Sequence, residues 1–160
     1  MSRALEIRLV DRQWQAPLAR FFTSIKRSGD DRFFLPHPLT PAYAARLGGY
    51  RGKDLYYVLV EGRTVLGYGM LRGWDEGYDI PSLGIAIRDS RKGQGLGKCL
   101  LLFLHTAARQ RGAARVRLRV HEENGRALAL YKGFGYRFES REMGQLVGVK
   151  DLGALREGVQ

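Results

Sequence analysis

Leu5, Ile7 and Leu9 alternate with Glu6 and Arg8, the two-residue period of a strand with one covered face. Asp11 then stands as a cap for a helix running to about Ser28, with Leu18, Phe21, Phe22 and Ile25 on its inner face and Pro17 delaying or kinking its start. Gly29 to Pro38 reads as a loop that carries Phe33, Phe34 and Leu35. Thr40-Pro41 predicts a second helix ending near Gly48-Gly49, a capping hydroxyl followed by proline at the first helical position.

Leu55 to Val60 and Thr64 to Leu71 are β-rich runs joined at Glu61-Gly62, a hairpin signal. Gly73 to Gly77 is the next turn, and Ile80 to Ile87 a fourth strand. After a glycine-rich loop from Ser90 to Gly97, Leu96 to Arg111 has helical periodicity, with Leu100, Leu104, Ala107 and Ala108 inside and Lys98, His105 and Arg109 outside. Val116, Leu118 and Val120 form a fifth strand, and Arg126 to Lys132 a short helix stopped by Gly133. Tyr136 to Glu142 and Leu146 to Leu152 read as closing strands, with a frayed tail from about residue 153. A hairpin-built half joined to one β-α-β crossover predicts an α+β domain with a mixed sheet.

At 160 residues and 44% hydrophobic content, one domain with one sizeable core is expected. The net charge of +11 attracts polyanions without saying which. Nothing matches a zinc-finger, RRM or KH signature, so no specific nucleic-acid partner is expected. Cys99 is the sole cysteine, which excludes an internal disulfide and fits a reducing cytoplasm. The longest apolar run, Cys99 to Leu104, is far too short to span a bilayer, so no membrane partner is expected.

The sharpest chemistry lies in Ile85-Ala86-Ile87 running into Lys92-Gly93-Gln94-Gly95-Leu96-Gly97-Lys98. Glycines let a ligand approach the backbone, and the free N–H groups of a first helical turn bind anions. The alternative is an ordinary glycine-rich turn at a helix start. A P-loop is excluded because Gly97-Lys98 is followed by Cys99. A Rossmann fingerprint is excluded because the loop comes late, after a hairpin.

Lys92-Gly93-Gln94-Gly95-Leu96-Gly97 resembles the Arg/Gln-x-x-Gly-x-Gly/Ala motif of the GNAT superfamily of acetyl-CoA-dependent N-acetyltransferases, with Lys92 in place of Arg or Gln. Asn124, Ala127, Leu130 and Tyr131 match that family's Asn-x-x-Ala-x-x-Leu-Tyr segment, and Gly133-Phe134 its closing Gly-Phe. The resemblance covers about Leu83 to Phe138, and places an acetyl-CoA core at about residues 80–138 of one domain spanning 1–160. It implies about seven strands and four helices with the fourth and fifth strands splayed.

The resemblance further implies acetyl-CoA as cosubstrate, no metal, its diphosphate on Gln94 to Lys98, and its pantetheine along Ile85, Ala86 and Ile87. Tyr131 matches the family's general acid, although read alone it is a packing aromatic. Asn124 binds the cofactor or caps its helix. Many relatives carry Glu at the start of the fourth strand, where this chain has Ile80 and Pro81. The candidate bases are therefore Asp79 or Glu76, or His121, each otherwise a surface group, or a water chain that makes a base residue unnecessary. Candidates to contact the acceptor, a small-molecule or peptide amine, are Trp74 and Tyr78 in an acidic-aromatic turn and Phe33 and His37 in the first interhelical loop. The competing classes are a catalytically dead acyl-CoA sensor and a basic nucleic-acid-binding module. A monomer and a homodimer both remain open, with a sheet edge near the last strands able to pair.

Overall fold

The computed structural model describes residues 4–153, so most of the expected tail lies outside the described residues. The strands are β1 (Leu5–Leu9), β2 (Leu55–Glu61), β3 (Thr64–Arg72), β4 (Ser82–Ile87), β5 (Arg115–Val120), β6 (Arg137–Glu142) and β7 (Gln145–Asp151). The helices are α1 (Gln15–Ser28), α2 (Pro41–Gly48), α3 (Leu96–Gln110) and α4 (Gly125–Gly133). One sheet joins all seven strands in the order β1-β2-β3-β4-β5-β7-β6. Neighbours are antiparallel except β4 and β5, which are parallel, as strands joined by a crossover through α3 can be.

Local chemistry sets these boundaries. Asp11 caps a short 3-10 turn at Arg12–Trp14 by accepting from the Gln13 N–H at 3.0 Å, and α1 begins after it. Pro17 falls in the first turn of α1, where a missing N–H costs nothing, and it is buried. Thr40 accepts from the Tyr43 N–H at 3.1 Å, completing the expected start of α2. β4 begins two residues later than the pattern predicts, because Pro81 has no N–H to enter a ladder.

The core has two layers. α1 and α2 cover one face, burying Leu18, Phe21, Phe22 and Ile25 against Val58, Tyr68 and Met70. α3 and α4 cover the other, where Leu100, Leu101 and Leu104 meet Leu71, Leu83, Val116 and Leu118. α3 lies so close to β3 that a Cβ at Gly69 would stand 2.9 Å from Leu104 Cδ1, so any larger residue there would have to displace the buried Leu104.

Two outward assignments on α3 are corrected. His105 is buried at 3% exposure and shares a 2.7 Å hydrogen bond with the Tyr136 hydroxyl, because it completes the Leu101, Leu104, Ala108 stripe. Arg109 is half-buried, with its Nε sealed from solvent.

Candidate active site

Two features built by the backbone meet at the C-terminal end of β4. The first is a gap in the sheet. β4 and β5 share one ladder pair, Ser82 with Arg117, reinforced by the Arg117 N–H donating to the Pro81 carbonyl at 3.0 Å. Beyond that pair the strands diverge. The Arg88 N–H donates to Leu66 at 2.7 Å, and bonds alternate along an antiparallel ladder, so even-numbered residues of β4 turn to β3. The main-chain groups of Leu83, Ile85 and Ile87 therefore face the gap. Ala86 turns its main chain to β3 and its side chain into the first core layer.

The second feature is the loop that follows. Gly93 and Gly95 have φ of +78° and +82°, and a Cβ at either would meet nothing within 4 Å. Glycine is thus needed for the turn, and the space above it is open. Gly95 caps α3 without a side-chain bond, and the first turn carries no acidic residue. Among the described residues, the N–H groups of Gln94 to Lys98 donate to no protein group, and Cys99 makes the first bond, to Gly95 at 3.1 Å. Five uncapped donors, open space and a helix N-terminus fit a diphosphate.

Lys92, which stands in the motif in place of Arg or Gln, does not offer a free charge to the loop. Its Nζ is bound to Asp30 and lies 3.4 Å from Asp89, so its charge is largely engaged within the protein. Arg91 is likewise tied to Gln94 at 2.9 Å and to Glu61 at 3.4 Å. Lys98 stays exposed at the first turn and is the cation left for a ligand there.

α4 closes the same region from the second layer. A Cβ on Gly97 would lie 3.8 Å from both Ile87 and Leu130, so the end of β4, the start of α3 and α4 converge there. Asn124 caps α4, its side chain accepting from the Ala127 N–H at 3.3 Å. Tyr131 packs edge-on against Tyr136 at 5.5 Å, and its hydroxyl bonds to no group among the described residues. Burial pushes the Tyr131 phenol up to about 12, so it holds its proton at neutral pH.

The remaining candidates separate. Phe33 meets His121 with ring centroids 5.8 Å apart, joining the α1–α2 loop to the residue after β5. The Arg32 guanidinium covers Phe33 at 4.3 Å. His37 does not line an open wall. It is 7% exposed, stacks on Tyr43 at 4.0 Å and shares a 2.9 Å hydrogen bond with the Tyr68 hydroxyl. Burial lowers its pKa to about 4, so it stays neutral.

Trp74, Glu76, Tyr78 and Asp79 lie in the β3–β4 turn, at the paired end of the β4–β5 gap rather than beside the glycine loop. Tyr78, Glu76 and Asp79 are exposed, and Arg111 stacks on Trp74 at 5.4 Å. Sequence reasoning missed what holds this turn. Buried Asp54 accepts from the N–H groups of Gly73, Trp74 and Asp75 at 3.0, 2.9 and 3.3 Å, and Asp75 is bonded to Tyr50 and to the Lys53 N–H. The only local signal was an Asp directly before a strand.

A family model described as the acetyltransferase (GNAT) family matches residues 19–136, which contain the gap, the loop and α4. The chain belongs to the GNAT acetyltransferase family. Among solved structures, the GNAT domain of S. lividans PAT has a TM-score of 0.78 at 19% identity, covering 92% of this chain and 90% of that one. A PaiA N-acetyltransferase from Thermoplasma acidophilum, solved in complex with coenzyme A, gives 0.73 at 15% identity, covering 92% and 99%. These likenesses establish the GNAT fold. A bovine (Bos taurus) thialysine N-epsilon-acetyltransferase is 28% identical over 66% of this chain and 76% of its own length.

In this GNAT chain several arginines of the last three strands pair with carboxylates within the protein. Arg117 bonds Glu142 at 2.6 Å, Arg115 and Arg137 reach Asp151 at 3.6 and 3.4 Å, and Arg141 bonds Glu122. No helix among the described residues is long and apolar enough to cross a membrane, and no three of their His, Cys, Asp or Glu side chains group as a metal site.

Proposed function

We propose that the protein is an N-acetyltransferase that moves an acetyl group from acetyl-CoA to a primary amine, with both substrates bound together. The observation that carries this is the uncapped glycine loop opening directly onto the free edge of β4. When bound, acetyl-CoA supplies an acyl group activated as a thioester.

The chain's own groups then have separable tasks. The N–H groups of Gln94 to Lys98 hold the diphosphate, with the Lys98 ammonium beside them. The outward main-chain groups of Ile85 and Ile87 align the pantetheine arm by strand-like hydrogen bonds, while Ala86 and Leu96 fix that edge by packing. Asn124 keeps α4 capped so that Tyr131 is held at the cleft. Tyr131 donates its phenolic proton to the leaving sulfur atom, which the raised pKa permits throughout the neutral range. His121 accepts the proton from the attacking amine nitrogen, with the Phe33 ring as the adjoining wall. Asp79 and Glu76 take no part in this scheme, and Trp74 and Tyr78 bound a turn whose geometry Asp54 dictates.

The bovine relative's name points to an amine at the end of a flexible amino-acid side chain. Small amino acids, polyamines, amino sugars, aminoglycosides and peptide N-termini are the acceptors to screen. Release of free CoA thiol in an acetyl-CoA turnover assay, with one of these classes acetylated, is the expected result. Tight acetyl-CoA binding without turnover on any of them would favour an acyl-CoA sensor instead. The free thiol Cys99 fits work in a reducing cytoplasm.

A further inference from the structure

The two outer strands of the sheet are built oppositely. β6 carries Arg137, Glu139, Arg141 and Glu142, and its ladder with β7 is irregular between Phe138 and Ser140. Charges and a bulge are how proteins keep a sheet edge from pairing. β1 has no bulge. The Val10 N–H donates to Tyr56 at 2.9 Å, and Arg8 and Glu6 lie opposite Val58 and Val60. By the alternation of an antiparallel ladder, the even-numbered residues turn their main chain to β2, and Leu5, Ile7 and Leu9 turn theirs outward, where no strand among the described residues pairs with them. Leu5 and Leu9 are 48% and 55% exposed, and Leu9 lies opposite Tyr57, which packs edge-on against Phe103 at 4.9 Å.

The order of residues in β1 identifies what fits this edge. Leu5-Glu6-Ile7-Arg8-Leu9 is symmetric about Ile7 except that its two charges are opposite in sign. Reversed and laid beside itself, the strand sets Ile7 against Ile7, Leu5 against Leu9 and Glu6 against Arg8. Residues opposite one another in an antiparallel pair share a face. The apolar residues of both strands then line one face; on the other, Arg8 and Glu6, which bond each other at 3.1 Å within one strand, each also meet the opposite charge across the seam. Main-chain donors and acceptors match at all three outward positions. A slip of two residues in either direction puts Glu6 against Glu6 or Arg8 against Arg8, so charge selects one register.

We propose that β1 pairs antiparallel with β1 of a second copy of this chain, about a two-fold axis at Ile7, forming a continuous fourteen-strand sheet. The contact is isologous and closes at two subunits. The catalytic cleft between β4 and β5 lies inside the sheet, away from the seam, so the pairing does not depend on the proposed reaction.

Sedimentation velocity of wild type and three variants tests this. Ile7→Pro removes an N–H that makes no bond to β2, so it disrupts the seam while sparing the monomer's own ladder. Glu6→Arg and Arg8→Glu each place like charges opposite one another twice, and weaken the dimer about ten-fold or more. Mixed one to one, the two charge variants again face opposite charges across the seam and return to a dimer, which no pairing within one strand explains. The expected set is a wild-type dimer, a monomeric Ile7→Pro variant that is still folded by circular dichroism, and recovery on mixing. A wild-type monomer at the highest soluble concentration would overturn the proposal. So would a dimer indifferent to both charge variants, or a mixture that fails to recover.

Discussion

Ser82 of β4 and Arg117 of β5 form the one ladder pair between these two strands, and the strands diverge toward their C-terminal ends beyond it. That pair sets the geometry of the site. It fixes where the sheet opens, leaves the main chain of Ile85 and Ile87 without a strand partner, and points the gap toward the uncapped start of α3.

The proposed role of Tyr131 as proton donor is tested by removing its hydroxyl alone. Tyr131→Phe keeps the ring against Tyr136 and removes only the donor. The expected result is a kcat lower by about ten- to ten-thousand-fold with little change in acetyl-CoA affinity. The melting temperature should stay close to wild type, because no hydrogen bond within the protein is lost. Wild-type kcat in a folded variant would assign proton donation to water or another group.

Asp54 should matter for stability rather than turnover chemistry. Asp54→Ala leaves three main-chain N–H groups of the β3–β4 turn without their acceptor. A loss of about 2–4 kcal/mol in denaturant melts is expected, with Asp54→Asn less costly because it keeps an acceptor oxygen. Equal stability of wild type and Asp54→Ala would show that the turn holds without it.

How much of this was legible in the chain differs by element. Hydrophobic periods, helix caps and turn residues together located all eleven strands and α-helices, since each is a local property of sequence. The glycine loop was legible because positive φ and a free helix start have local signatures. What escaped reading were contacts between distant positions. Lys92 finds Asp30, 62 residues away, and His105 finds Tyr136, 31 residues away. His105 was the more readable, since its spacing from Leu101 and Ala108 lies on the buried stripe, but a polar residue reads as outward when its partner is unseen. His37 was hidden for the same reason, its hydrogen-bonding and stacking partners being the distant Tyr68 and the nearby Tyr43.

The buried histidines make stability depend on pH in a definite direction. His37 and His105 are lowered from 6.5 to about 4, chiefly by burial. Between those values the unfolded chain binds more protons than the folded one, so their contribution is full above about pH 6.5 and is lost as pH falls toward 4. The melting temperature should fall across that window. Replacing both partners, as His105→Leu with Tyr136→Phe, should flatten the fall while remaining folded. An unchanged slope in that double variant would remove His105 as a cause.

The most direct test of the central claim is calorimetric titration of acetyl-CoA into wild type, Gly95→Glu and Lys98→Glu. Gly95→Glu puts a carboxylate into the open space above the loop, and Lys98→Glu reverses the free charge without backbone strain. The account predicts one site per chain in wild type and affinity weaker by about ten-fold or more in each folded variant. Absence of binding to wild type, or unchanged affinity in both variants, would contradict the assignment of this loop as the acetyl-CoA cradle.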